Sequence, residues 1–297
     1  MGGKSRLRPA GSVGEALVAY AHDILAEARV ALDNPSDAVA VHDFRKAMKR
    51  RRAFLRLLEP FVGVEANRQR ITARDLAREL AGARDGQAAL DALGDVAKHS
   101  EELSPRSLAT VTTRLEAIRE SAEETTLTDA TRARLRGALD EADAALAEWP
   151  MEDVSFPVIA RGLSDGYGRV RKAIPEQWAR ADSEELHELR QRVVVHRYQM
   201  ELVEPLWPRL GRVWVNEAQR LRERLGTCQD LAVLTRLAAP RQPLAPWRSR
   251  LTPLIEARHA THVDAAARLT TRMFAERPKA FRRRLEALWE QRHAGRD

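Results

Sequence analysis

Val41-His-Asp-Phe-Arg-Lys-Ala-Met-Lys-Arg-Arg-Arg52 recurs in altered form 145 positions later, as Leu186-His-Glu-Leu-Arg-Gln-Arg-Val-Val-Val-His-Arg197. The register between the two copies holds without a gap. His42 pairs with His187, Arg45 with Arg190, Arg52 with Arg197, Glu59-Pro60 with Glu204-Pro205, Leu76 with Leu221, Leu80 with Leu225, and Asp85 with Asp230. This is the mark of an internal duplication, and it organises the rest of the chain. On a helix, His42, Arg45, Lys49 and Arg52 fall within an arc of roughly 80° along about 15 Å of axis, a stripe that Arg56 extends. Phe44, Met48, Leu55 and Leu58 fall on the opposite side, the side a helix buries. Lysine and arginine also line the polar face of any solvated helix. A solvated face, however, needs charge in no particular order, whereas the His-x-x-Arg frame occurs twice.

Outward from that stretch, apolar residues at helical spacing fill most of the sequence, and alternating strand-type runs are nearly absent. The spacing predicts helices over 12–32, 37–59, 64–96, 106–122, 128–148, 157–174, 182–204, 209–238, 250–274 and 278–293. Adding 145 to the first five gives nearly the second five. Glu148-Trp-Pro-Met-Glu-Asp-Val-Ser-Phe-Pro157 interrupts the pattern with two prolines and marks the boundary between halves. The expected fold is all-α: one domain over 1–297, built of two antiparallel helical bundles, 12–148 and 157–293, related by a pseudo-twofold axis. Each half then presents a His/Arg helix, and the two can face one central cleft.

Composition bounds the function. The 297 residues suffice for a sizeable core, and a formal net charge of +7 favours polyanionic partners over cationic ones. Arginine supplies almost all of the positive charge, since the only lysines are Lys4, Lys46, Lys49, Lys98, Lys172 and Lys279. Arginine's planar fork suits phosphate oxygens, although a GC-rich genome gives the same skew. Cys228 is the only cysteine, which excludes an intrachain disulfide and cysteine zinc sites and fits a reducing compartment. It is read as a small buried residue. The basic N-terminus is followed by no apolar run, and no segment approaches the roughly 18 apolar residues of a membrane span. A soluble, cytoplasmic protein without membrane association is expected.

Several weaker signals are discounted. Gly3-Lys-Ser5 lacks the glycine, strand and loop of a phosphate-binding loop. Gly162, Gly166 and Gly168 have no βα unit around them and are read as close helix packing. His259 and His262 sit three apart on one helix without evident further ligands, so they are read as a solvated pair and no metal site is expected. Adjacent acids such as Glu101-Glu102, Glu123-Glu124 and Glu184-Glu185 point to different helix faces and form no catalytic dyad.

The quoted motifs resemble the CHAD family (conserved histidine α-helical domain). Val41 to Arg50 is similar to its first signature and Leu186 to Val193 to its second. Arg74-Asp-Leu-Ala-Arg78 with Leu80-Ala-Gly-Ala-Arg-Asp85 resembles the helix that follows the first signature. Leu225-Gly-Thr-Cys-Gln-Asp-Leu-Ala-Val-Leu234 resembles the second-half equivalent. Gly162-Leu-Ser-Asp-Gly-Tyr-Gly-Arg-Val-Arg171 and Met273-Phe-Ala-Glu-Arg-Pro-Lys-Ala-Phe281 extend the resemblance to nearly the whole chain. It implies an all-helical module that binds inorganic polyphosphate through a basic surface, without catalysis or cofactor. No Glu-x-Glu-x-Lys of the triphosphatase domain that sometimes accompanies the family occurs, so the binding module alone is expected. Polyphosphate-granule proteins are expected partners.

The polyphosphate contacts so implied are His42, Arg45, Lys46, Lys49, Arg50, Arg52, Arg56, Arg74, Arg78, Arg84, Tyr167, Arg171, Lys172, His187, Arg190, Arg197 and Tyr198. The second copy departs from the family pattern at Val194, where lysine is usual, at Glu201, opposite Arg56, and at Gln229, where histidine is frequent. The first half is therefore expected to carry most contacts. A linear polyanion calls for cations spaced along an axis, as in this stripe, and arginines can fork two oxygens each. A histidine beside phosphate, with an ordinary pKa of about 6.5, would strengthen binding as pH falls. Other readings keep His42 and His187 neutral against Asp85 or Asp230, and Tyr167 and Tyr198 in core or rim packing. Two further functions stand beside this one. A nucleic-acid-binding role meets few aromatics for stacking and no zinc or helix-turn-helix signature. A metal-dependent phosphohydrolase would use the two histidines with Asp85 and Asp230.

Overall fold

A computed structural model describes residues 12–80, 85–100, 102–121 and 127–294. The described residues form helices and turns, with no strand among them. Helices α1 (Val13–Leu32), α2 (Asp37–Val62), α3 (Val64–Glu79), α4 (Asp85–Lys98), α5 (Pro105–Ser121) and α6 (Asp129–Ala144) make the first half. The second half contains α7 (Phe156–Lys172), α8 (Ser183–Val203), α9 (Pro208–Leu237), α10 (Arg248–Met273) and α11 (Pro278–Ala294).

Local chemistry sets many of these boundaries. Ser12 opens α1 with a capping box closed by Glu15, and Asp182 opens α8 in the same way with Glu185, so orphan amides of the first turn find acceptors. Pro60 sits in the last turn of α2, and the helix stops at Gly63, whose φ of 64° is open to glycine at no steric cost. The corresponding Glu204-Pro205 instead begins a short 3₁₀ turn after α8.

The sequence expectation of one helix over 64–96 is corrected. Helix α3 ends at Leu80, whose backbone leaves helical geometry, whereas the matching α9 is a single helix of 30 residues. The physical reason lies in what the pieces cover. Ala66, Ala73, Leu76 and Ala77 of α3 belong to one buried core, while Ala89, Leu93 and Val96 of α4 belong to another.

The larger core takes its side chains from α1, α2, α3, α6, α7, α8, α11, the middle of α9 and the later part of α10. Phe44, Met48, Leu55 and Leu58 are all within it and at most 1% exposed, as their helical spacing requires. The smaller core joins α4 and α5 to the last turns of α9 and the start of α10, through Leu93, Val111, Leu115, Leu231, Leu234, Leu251 and Ile255. Each core thus draws on both halves of the sequence. Polar ties cross between halves as well: Arg258 grips Asp95 with two bonds of 2.9 Å, and Arg236 donates to Asp85 at 2.6 Å. The two signature helices, α2 and α8, pack against each other, with α3 on the flank of α2, α7 on α8, and α9 on α8.

Candidate functional site

The site is built on α2. His42 and Lys46 are exposed at its start, and Arg45, Lys49, Arg52 and Arg56 follow at intervals of one turn, each half-buried. Arg45 turns sideways and donates to the Ala77 carbonyl at 3.0 Å, closing the last turn of α3 where the helix dipole is negative. Further along, α3 lays Arg70, Arg74 and Arg78 beside Arg52 at a spacing of four residues. Arg56 lies within electrostatic range of Arg70, Arg169 of α7 and Arg192 of α8 in addition to Arg52. Seven arginines from four helices, drawn from both halves of the chain, therefore converge.

The electrostatics are those of a site short of anions. Burial, followed by repulsion from Arg70, Arg74 and Arg78, holds the Arg52 guanidinium below its ordinary pKa. Burial, then Arg70, Arg169, Arg192 and Arg52, does the same to Arg56. Among the described residues, Asp75 accepts from Arg74 at 2.8 Å and Glu188 from Arg192 at 2.8 Å. The Nε atoms of Arg52 and Arg70 are buried with no hydrogen-bond acceptor within reach. An arrangement that repels itself is complementary to a multivalent anion able to reach several guanidinium groups at once.

The structure distributes the other expected contacts differently. Arg50 is only 5% exposed and is held between Glu27 and Glu201, the latter at 3.2 Å. Glu201 also accepts from Arg197 at 2.7 Å, and both arginines lie against the ring of Tyr198, which is 6% exposed. Arg50, Arg197 and Tyr198 are thus corrected to an internal bridge between α2 and α8. The acid that replaces arginine in the second copy makes that bridge. Tyr167 is likewise corrected to a core residue: it is 1% exposed, stacked on Phe281 at 4.4 Å, and its hydroxyl donates to the carbonyls of Met273 and Glu276. Arg171 donates to the carbonyls of Phe274 and Glu276 and so secures the same turn after α10. Lys172 is exposed at the C-terminal end of α7.

His187 is exposed on α8 and accepts at Nδ1 from the Gln229 amide, so that the glutamine standing in place of the family's histidine orients the signature histidine. Arg190, half-buried one turn later, lies beside Gly226 of α9. Arg84 lies outside the described residues. Arg70, Arg169 and Arg192 were not singled out from the sequence. Arg70 was legible in the Arg70, Arg74, Arg78 spacing, but nothing local ties Arg169 or Arg192 to Arg56.

His262 overturns the reading of a solvated histidine pair. It is 2% exposed and lies 3.0 Å from Asp95 through Nε2 and 3.2 Å from Arg224 through Nδ1. Arg258 also comes within 3.2 Å of Nε2, so the ring sits among two guanidinium groups and one carboxylate. Burial, the larger influence, pushes the His262 pKa down. Burial works to raise the Asp95 pKa, but the bonds from Arg258 and His262 prevail and hold its carboxyl at about 2. These groups fasten α4 to α9 and α10. Cys228 is 2% exposed, and burial pushes its thiol up to about 12, as fits a packing residue.

A family model described as the CHAD domain matches residues 15–239. No curated protein matches the chain. Among solved structures, the crystal structure of the CHAD domain from the plant Ricinus communis is similar to it, with a TM-score of 0.53 and 19% identity over 97% of this chain and 98% of that one. At this identity the similarity speaks to the all-helical fold. No helix among the described residues is long and apolar enough to cross a membrane.

Proposed function

We propose, because the chain belongs to the CHAD domain family, that it binds inorganic polyphosphate, the anion with which that family is associated, and that it does so without catalysis. The observation that carries this reading is the convergence of Arg52, Arg56, Arg70, Arg74, Arg78, Arg169 and Arg192, which repel one another in the absence of an anion. A polyphosphate chain carries about one charge per phosphate along its length and can meet these groups in succession, releasing counterions as it does. His42, Lys46 and Lys49 prolong the same face of α2 and extend the path beyond the arginine cluster. Association with polyphosphate granules follows from such an affinity and belongs to the same proposal.

The test is a titration of the purified protein with end-labelled long-chain polyphosphate at two salt concentrations, competed by single- and double-stranded DNA. The partner variant is Arg52→Gln/Arg56→Gln/Arg74→Gln. Binding should weaken steeply with salt, resist competition by DNA, and release no orthophosphate. The variant should lower the slope of log affinity against log salt by about one for each lost contact. Equal competition by DNA, or a variant that binds unchanged, would refute the reading.

A further inference from the structure

Helices α3 and α6 are joined by an ion pair between Arg134 and Glu79 but leave a gap between them beside α2. Helix α3 rests on α2 and α6 rests on α1, and between them lies a cleft of about 80 Å³. Its walls are mixed: Met48, Leu76, Leu139 and Ala142 supply an apolar side, and Glu65, Arg68, Thr72 and Glu141 a polar one. At its base is Arg51, only 6% exposed. Arg50, the other arginine buried among the described residues, meets two carboxylates, Glu27 and Glu201. Arg51 has instead one neutral partner, the Gln69 side-chain oxygen at 2.8 Å, and no ion pair among the described residues. Asp143 offsets its charge only through space, and burial, the larger influence, pushes the Arg51 pKa down to about 10. A buried guanidinium without a counter-charge is costly, and a fork of five donors holding one acceptor is unfinished recognition chemistry.

We infer that the cleft between α3 and α6 is a binding site for a small monocarboxylate, whose carboxylate meets Arg51 while a short hydrocarbon chain lies against Leu76, Leu139 and Ala142. Size limits the ligand, because the space is smaller than the roughly 150 Å³ that accommodates benzene. Charge selects against phosphates. Glu65, Glu141 and Arg68 also line the cleft, so its charges other than Arg51 leave an excess of negative charge that repels a polyanion more than a single carboxylate. Glu65 itself is engaged by Arg68 at 2.7 Å and by Gln69 at 2.8 Å, so it leaves the Arg51 charge to the ligand. This site shares no residue with the polyphosphate path and stands or falls apart from it.

Butyrate is the probe, added to the full chain labelled with carbon-13 at its methionine methyl groups, with inorganic phosphate in a parallel titration. Met48 is 1% exposed and lines the cleft, so its methyl resonance, assigned with Met48→Leu, reports occupancy. Butyrate should shift that resonance saturably, and phosphate should bind at least tenfold more weakly. Arg51→Met should weaken butyrate at least tenfold, and Ala142→Leu, which fills the cleft and keeps the charge, should do the same. Both variants should still bind polyphosphate as the wild type does. The inference fails if butyrate produces no saturable shift, if phosphate binds equally well, or if Arg51→Met retains affinity. Should Arg51→Met not fold, Ala142→Leu decides alone, since undiminished binding there places butyrate elsewhere.

Discussion

His196 is 4% exposed and boxed by Tyr167, Phe274 and Phe281, with its Nδ1 lacking a hydrogen-bond partner. Burial alone takes its pKa from 6.5 down to about 4. The unfolded chain therefore binds a proton over this interval that the folded chain does not, and stability declines as pH falls from 6.5 towards 4. The slope from this one group approaches about 1.4 kcal/mol per pH unit, on the order of 3 kcal/mol across the window. His196→Phe should remove that component. Urea midpoints of wild type and variant should converge near pH 8 and separate at pH 5 in favour of the variant. Parallel loss in both proteins would assign the acid sensitivity to another group. Asp95 acts in the same direction at lower pH: its contribution is present above 3.8 and lost as pH falls towards about 2. Neither effect was legible in the sequence, where His196 differs from His187 only by its register on the helix and Asp95 stands in an ordinary polar position.

Helix α9 begins where the chain doubles back over the turn that follows α8. A Cβ at Gly211 would stand 2.6 Å from the Glu204 carbonyl oxygen and 2.7 Å from its Cα, both backbone atoms that cannot swing aside. Gly211→Ala should lower the stability of the protein by about 1–3 kcal/mol through overpacking. Gly137, on an exposed face of α6, meets nothing within 4 Å, so Gly137→Ala should raise stability by about 0.5–1 kcal/mol through helix propensity. Chemical denaturation of the two variants checks the pair, and an equal response would show that α9 and the preceding turn adjust freely. Helix existence and type at this scale were readable from periodicity because each helix keeps a long apolar face. The interruption between α3 and α4 was not, because its cause is the allocation of those two faces to different cores.

Seven like charges converging between two halves act on the whole molecule. Exposed and half-buried repulsion is screened by salt, so the melting temperature of the free protein should rise with ionic strength. Arg56→Gln, which removes the cation surrounded by four others, should raise the melting temperature of the free protein at low salt. The same substitution should weaken polyphosphate binding. An anion that binds only the folded state should stabilise the wild type by about 2.7 kcal/mol at a hundredfold excess over its dissociation constant. Thermal melts of both proteins with and without polyphosphate test this. A variant that is less stable than wild type when free, or equally stabilised by the anion, would show that Arg56 serves packing and not the site.

The repeated His-x-x-Arg frame, the apolar stripe of Phe44, Met48, Leu55 and Leu58, and the absence of alternating runs determined an all-helical chain with a cationic face on α2. Those are local properties, fixed by residue spacing along one helix. Only the tertiary structure decided which cations share a site. Arg169 and Arg192 reach Arg56 through the packing of α7 and α8, while Arg50 and Arg197, equally basic in sequence, are tied down by Glu27 and Glu201. Periodicity reports which face of a helix is buried. The partner that a charge finds there depends on which other helix, more than a hundred residues away, is packed against it.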